Sequence, residues 1–394
     1  MTEVPRPDDE LESWMRQIRR DLHAHPELGY QEFRTSKKIC QHLESLGIPH
    51  SSGVAKTGVV AQIGGKKQEK EAIVALRADM DALPIKEKTG LPFASKNPGV
   101  MHACGHDGHV AMLLGAAALL KDIPLPGAVR LIFQPAEEGE GGAKAMIKEG
   151  VLAGVRAIFG GHIDRHFHVG QICVQPGLIC AYTDTFTIDI NGKGGHAARP
   201  HEAVDSIVVA SLLVMSIQTL VSREVNPAYP SVVTVGRING GSAPNVIADH
   251  ARLEGTIRST HPKVRKTLIS GLERMVKATG ELYHARACID FVKGYPPVVN
   301  DPEASKIAYR AACQVVGTDE VVRQPHPSLG GEDFAYYLNK VPGCFVRFGA
   351  TKPGERAYPA HSPYFDFDEE VLPIGARYLA TVALMFLESL SVCH

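Results

Sequence analysis

Three short, mostly apolar runs constrain this chain more than any other feature: Ala72 to Ala78, Val129 to Phe133 and Val155 to Phe159. Each is too short for a buried helix and is bounded by turn-forming residues, so each reads as a strand buried on both faces. Helical patterns fall between them, which implies right-handed crossovers and a mainly parallel sheet, an α/β fold. The residues just past each run matter as much. The first empties into Asp79-Met80-Asp81-Ala82-Leu83-Pro84, the second into Gln134-Pro135-Ala136-Glu137-Glu138-Gly139, and the third into Gly160-Gly161-His162. Open α/β sheets place their chemistry at such strand ends. Turn capping explains Asp79 or Asp81 equally well when either is taken singly. The adjacent Glu137 and Glu138 are harder to explain away, because like charges so close need a cation between them or one retained proton.

A second constraint is Met101-His-Ala-Cys-Gly-His-Asp-Gly-His-Val110, which runs into an apolar helix from Ala111 to Leu120. Thiolate and neutral imidazole are good donors to zinc and neighbouring cations. On a bent loop before that helix, Cys104 and His106 can face one point; a tight turn with a buried Cys and polar histidines is the competing reading. Three strands ending in Asp/Asp, Glu/Glu and His, with Cys104 and His106 added, favour one metal cluster over five coincidences. Helices are expected from Asp8 to His23 and from Thr35 to Leu46 by apolar spacing. His23 and His25, at the end of the first, read as plain polar residues as readily as ligands.

Near Tyr182 the texture changes. A half-exposed strand (Thr183 to Ile190) leads to Gly192-Lys193-Gly194-Gly195-His196. A helix from Ala203 to Leu220, strands at Val232 to Ile238 and Ala251 to Arg258, a helix from Pro262 to Leu282 and a strand at Ala287 to Val292 come next. This βαββαβ order is a split-βαβ, ferredoxin-like unit. It is expected at 184–294, inserted into a catalytic metal-binding domain made of 1–183 and 295–394. That domain resumes with a helix from Pro302 to Val316, a strand near Cys344 to Phe348, the loop of His361 and a helix from Glu369 to about Ser389.

Charge and cysteine usage narrow the functional classes. The 42 basic and 43 acidic residues nearly cancel, and no basic stripe is present, so no nucleic-acid partner is expected. The Lys66-Lys67 pair reads as a solvated face. Eight scattered cysteines without a Cys-x-x-Cys pair fit a reducing compartment, and the acidic, non-apolar start lacks a secretory signal, so the cytoplasm is expected. Val110 to Leu120, the longest apolar run, is too short to cross a bilayer, and no membrane association is expected. Gly139 to Lys144 lacks the spacing and terminal Ser/Thr of a phosphate loop, which removes a nucleotide-binding reading.

Taken in order, His102-Ala-Cys-Gly-His-Asp107, Gln134-Pro-Ala-Glu-Glu-Gly139, Gly195-His-Ala-Ala-Arg-Pro200, Gly331-Glu-Asp-Phe334 and His361-Ser-Pro363 closely resemble the hippurate hydrolase and indoleacetyl-amino-acid hydrolase branch of the aminoacylase/carboxypeptidase metallopeptidases. The resemblance covers nearly the whole chain. It implies a metallopeptidase-like catalytic domain and two divalent metal ions per subunit, held by Cys104, His106, Glu138, His162 and His361. It also implies Glu137 as general base and an inserted dimerisation or lid domain giving a homodimer or higher homo-oligomer. Related branches carry a metal-binding histidine where this chain has Asp79. A supporting role for Asp79 or Asp81, orienting a ligand, is therefore preferred.

The resemblance implies amide hydrolysis, which needs a polarised carbonyl, an activated water and a place for the proton. Glu138 serves as ligand, while unligated Glu137 takes the water proton and delivers it to the leaving amine. A metal-dependent binding or sensor protein would have no use for that spare carboxylate. His196 is the candidate donor to the oxyanion, reaching across a dimer interface; a histidine at a helix N-terminus is the alternative. Asn245, Arg258 and the Gly330-Gly331 amides are candidates for the substrate carboxylate, which suits the Arg fork. An outward strand Arg paired to a surface acid fits Arg258 almost as well. N-acyl-amino acids of the hippurate or N-acetyl type are the expected substrates, with dipeptidase or carboxypeptidase action as the alternative. Zinc or manganese is expected, and such a site also accepts cobalt or nickel.

Overall fold

The computed structural model describes residues 3–65, 72–352, 354 and 358–391; Lys66 and Lys67 lie outside them. The chain divides into two compact units. One comprises Met1–Gly177, Val298–Pro325 and Asp333–His394, and the other Leu178–Pro297 with His326–Glu332. Gly330 and Gly331 thus belong to the second unit.

The first unit is built on an eight-stranded sheet. In spatial order its strands are His50–Val54, Gly58–Gly64, Ala128–Gln134, Ile73–Asp79, Val155–His168, Gly343–Thr351, Ile172–Cys173 and Val321–Val322. The central pairs, from Ala128–Gln134 to Gly343–Thr351, are parallel. The first two strands pair antiparallel, as do Gly343–Thr351 and Ile172–Cys173, and the edge strand Val321–Val322 returns to parallel pairing. Central strands buried on both faces carry few polar residues, which is why they stood out as apolar runs. The hairpin His50–Val54/Gly58–Gly64 did not, because its first strand is half exposed and mostly Ser and Gly.

The helix His106–Leu120 is apolar all round and buried along nearly its whole length. It packs against Asp9–Ala24 and Val371–Ser391. Glycines permit the close approach: a Cβ on Gly115 would meet Met15 Sδ at 2.2 Å, and one on Gly375 would meet Met112 Sδ at 1.8 Å. Among the described residues, two helices are long and apolar enough to cross a membrane, Ser206–Glu224 and Val371–Ser391. Val110 to Leu120 is the longest uninterrupted apolar run, and these two helices are longer because isolated polar residues interrupt their apolar sequence without ending the helix. Within Val371–Ser391, 78% of the apolar window is buried inside the protein, as in a core helix.

The second unit runs through strand Tyr182–Asn191, helix Ser206–Thr219, strands Ser231–Gly240 and His250–Ser259, helix Pro262–Leu282 and strand Arg286–Lys293. Every pair in its four-stranded sheet is antiparallel. In chain order the strands sit 2-3-1-4, the ferredoxin-like arrangement. Its core is separate, centred on Phe186, Ile188, Leu213, Leu253 and Leu268.

Two local expectations are corrected. His106 is the first helical residue rather than part of a loop, because Gly105, at φ 91°, turns the chain straight into the helix. His162 lies inside the strand Val155–His168 rather than beyond its end. Gly160 and Gly161 face Phe334, Phe348 and Val346, and a Cβ on either would approach one of those side chains to 3.0 Å or less, so they serve packing and not a turn.

Candidate metal centre

Cys104 and His106 are aimed by the Gly105 turn, where a Cβ would come within 3.3 Å of Ile163. Across from them, Cys104 Sγ lies 3.3 Å from His162 Nε2. Glu138 comes after the strand Ala128–Gln134, and its Oε1 lies 3.1 Å from His361 Nε2 and 3.9 Å from His106 Nε2. His361 reaches the cluster from a loop tied to the Cys104 segment by the His361 N–H donating to the Ala103 carbonyl (2.8 Å). The donor atoms of Cys104, His106 and His162 lie within 4.8 Å of one another, and so do those of Cys104, Glu138 and His361. The five side chains therefore converge as two triads sharing the thiol. Only His361 is largely exposed, which leaves the cluster open on that side.

Backbone strain sits on the same two loops. Ala136 (φ 53°) precedes the carboxylate pair and His361 itself has φ 67°, a region costly for residues with a Cβ. Hydrogen bonds over-determine both. The Ala136 N–H donates to the buried Glu32 carboxylate (2.9 Å), which also accepts from Thr57 Oγ1 (2.6 Å). Burial first, with the Asp81 charge adding, pushes Glu32 up to about 7 against those hydrogen bonds.

His106 supplies the test of whether a metal fits. Its Nδ1–H donates to the Asp81 carbonyl (2.9 Å) and side chain (3.1 Å), which leaves Nε2 as the lone-pair nitrogen. That Nε2 is buried without a hydrogen-bond partner and faces the cluster. An orphaned imidazole nitrogen beside a thiol and carboxylates is the donor set a borderline-soft dication takes. Burial and then the Glu138 charge push the Cys104 thiol up. His106 is raised well above its ordinary value because the Asp79 charge and the Asp81 bonds outweigh burial. His162, with burial dominant, is held well below. A bound dication inverts this logic and deprotonates a coordinating thiol.

Behind the cluster lie Asp81 and Asp79, for which a supporting role is expected, and Arg77, His109 and Asp333, to which the sequence assigned none. Asp81 Oδ2 accepts from the Glu138 N–H (2.9 Å), so one carboxylate braces both His106 and Glu138. Asp79 is fully buried and binds Arg77 Nη1 (2.6 Å) and His109 Nδ1 (2.5 Å). Arg77 also donates to Gln134 (2.9 Å) and Asp333 (2.9 Å), and the Asp333 N–H donates to Glu137 Oε1 (3.2 Å). The signal for Arg77 was present: one guanidinium in an otherwise apolar central strand must find buried partners.

Candidates in the second unit fall into two groups. His196 pairs with Val246 in a short ladder, and the Ala197 N–H donates to the Asn245 carbonyl (3.1 Å), so His196 and Asn245 share one exposed patch. Arg258 is elsewhere, against the Gly330-Gly331 turn: a Cβ on Gly331 would stand 3.5 Å from Arg258 Nη1. Arg258 makes no ion pair among the described residues. The nearby buried Asp184 binds Arg265 at 2.6 and 2.8 Å, and its charge also acts on Arg258.

A model of peptidase family M20/M25/M40 matches residues 75–385. The chain belongs to that family. M20 relatives of similar closeness differ in what they are called. Thermostable carboxypeptidase 1 of Saccharolobus solfataricus is 42% identical over 96% of both chains. IAA-amino acid hydrolase ILR1-like 4 of Arabidopsis thaliana is 42% identical over 95% of this chain and 86% of its own. Among solved structures, the Bacillus subtilis YXEP protein, described as a dinuclear metal binding peptidase from the M20 family, superposes with TM-score 0.82 at 38% identity, covering 97% of this chain and 99% of that one. The family makes this M20 chain a hydrolase of amide bonds. Equal identity to a carboxypeptidase and to an IAA-amino acid hydrolase leaves the substrate to the site itself.

Proposed function

We propose that this chain hydrolyses N-acyl-amino acids of the hippurate or N-acetyl type, with two divalent cations held by Cys104, His106, Glu138, His162 and His361. The observation that carries the reading is the pair of donor triads sharing Cys104, with Glu137 beside them but bound to a backbone amide. Cations held there supply a Lewis acid for the acyl oxygen and lower the pKa of water. Glu137 takes the proton from the attacking water and passes it to the leaving nitrogen, while the Asp333 N–H fixes one of its oxygens. Asp81 keeps His106 in the tautomer that offers Nε2. The half-buried Arg258 is the candidate for the amino-acid carboxylate, assisted by the Gly331 amide, while the Gly330 N–H donates to Ser328 Oγ at 3.1 Å and Asn245, on the His196 patch, would act together with His196. Zinc or manganese suits the mixed donor set best, with cobalt or nickel accepted.

A homodimer through the second unit is part of this reading, with His196 serving the partner's oxyanion. Its support is an apolar face on the helix Ser206–Thr219, where Met215 is 71% exposed, next to the sheet edge Ser231–Gly240. A cytoplasmic location fits the described cysteines, all of which are free thiols. The test is metal-loaded protein assayed on hippurate, N-acetyl amino acids and dipeptides, with elemental analysis of the same sample. Turnover confined to dipeptides would replace the reading with a dipeptidase or carboxypeptidase.

A further inference from the structure

His109 is buried three residues into the helix that begins just after Cys104, at His106, and both its ring nitrogens are committed. Nε2 accepts from the Ile163 backbone N–H at 2.9 Å, which requires that nitrogen to carry the lone pair. The proton therefore sits on Nδ1 and is donated to Asp79 Oδ1 at 2.5 Å. Asp79 is held in turn by Arg77. With both nitrogens engaged, His109 has nothing left to offer a metal, although its donor atoms, those of Asp79 and those of His106 lie within 4.8 Å of one another.

Ile163 links this pair to the metal-facing donors. Its N–H is held by His109, and its carbonyl accepts from His162 Nδ1 at 2.7 Å. That second bond puts the His162 lone pair on Nε2, the nitrogen 3.3 Å from Cys104 Sγ. The His109 and His162 rings meet edge-on, with centroids 4.7 Å apart.

We infer that Asp79 and His109 form a positioning pair that anchors Ile163, and so aims His162 Nε2 at the cation, rather than a third ligand set. The inference rests on the proposed metal centre. Asp79 fixes the His109 tautomer, His109 pins the Ile163 amide, and Ile163 fixes the tautomer of His162. Asp79 thereby acts on the metal through three intermediaries, His109, Ile163 and His162.

Two polar substitutions separate the parts of this relay. His109→Gln places an acceptor oxygen near the Nε2 position and keeps the Ile163 anchor without needing Asp79 to set a tautomer. His109→Asn keeps a donor to Asp79 and loses that acceptor. Full-length protein is titrated with cobalt(II), tracking the thiolate-to-cobalt and ligand-field bands, and amide exchange at Ile163 is measured without metal. His109→Asn is expected to weaken cobalt binding by about 10- to 100-fold, the usual effect of losing an outer-shell partner, and to speed Ile163 exchange. His109→Gln should stay near wild type in both. Equal losses in both variants, or wild-type exchange at Ile163 in His109→Asn, overturn the relay. Cys104→Ala is the control: if it binds cobalt as wild type does, the metal centre itself is wrong, whereas its loss beside an unaffected His109→Asn sinks the relay alone.

Discussion

Arg77 Nη2 and Asp333 Oδ1 lie 2.9 Å apart with both side chains buried, and this contact joins the two halves of the site. From the same guanidinium one arm reaches Asp79 on the histidine side and another reaches Gln134 at the strand end that leads to Glu137. Asp333 carries the connection on, its N–H to Glu137 and its carboxylate to the Ala143 N–H (2.9 Å). Arg77→Met removes the fork and leaves Asp79 and Asp333 buried without their cation, although His109, Gln134 and the Ala143 N–H still donate to them. The expected loss is about 3–5 kcal/mol, read as a lower urea midpoint for the first unit. Arg77→Lys should recover only part of it, since an ammonium cannot meet three acceptors in the plane of a fork.

Glu137 and Glu138 are neighbours with opposite tasks, and substituting each should separate metal content from turnover. Glu137→Gln keeps an oxygen for the Asp333 N–H but cannot accept a proton. Its kcat should fall by about 10²- to 10⁴-fold with metal content unchanged by elemental analysis. Glu138→Gln should lose metal together with activity. Full turnover by a metal-loaded Glu137→Gln would remove the general base from the mechanism.

How far the sequence disclosed this site depends on which groups announce themselves. Strands buried on both faces exclude polar residues, so their ends were visible as Asp79, Glu137 and Glu138 against an apolar background. Pro302–Val316 and Pro262–Leu282 were legible to the residue because an N-terminal proline and a cap mark each start. The long-range pairings among the supporting residues were not legible. Arg77, His109, Glu32 and Asp333 act through partners up to 256 positions away, and no spacing rule ties Arg77 to Asp333. His162 was assigned to a loop because Gly160-Gly161 usually punctuates a chain, whereas here both glycines make room for aromatic and aliphatic neighbours within a strand.

His23 predicts a loss of stability in mild alkali. It sits between Asp107 (2.8 Å) and Glu87 (3.3 Å), and Asp107 also accepts from Arg19 at 3.1 Å. Burial works against the charged ring, but the hydrogen bonds to Asp107 and Glu87 and the Asp107 charge prevail and raise it from 6.5 to about 9. Because the folded-state value is the higher one, this stabilisation is complete below about pH 6.5 and is lost as the pH rises through about 9. Urea unfolding at about pH 6 and about pH 9.5, on either side of that window, should show a decline that His23→Gln reduces. An identical decline in the variant would mean that another group is responsible.

Arg258 gives the sharpest test of substrate class, because its guanidinium lies against the Gly330-Gly331 turn and makes no ion pair among the described residues. If it receives the carboxylate of an N-acyl-amino acid, Arg258→Met removes binding common to the ground and transition states. KM should then rise with little change in kcat. A hydrogen bond to a charged group is worth about 1.5–3 kcal/mol, so KM for hippurate should increase by about 10- to 100-fold. Hippuramide, which lacks the carboxylate, should be hydrolysed equally poorly by wild type and variant. The comparison excludes a general folding defect, which would depress both substrates alike. If hippurate and its amide lose equally, Arg258 holds the turn and not the substrate.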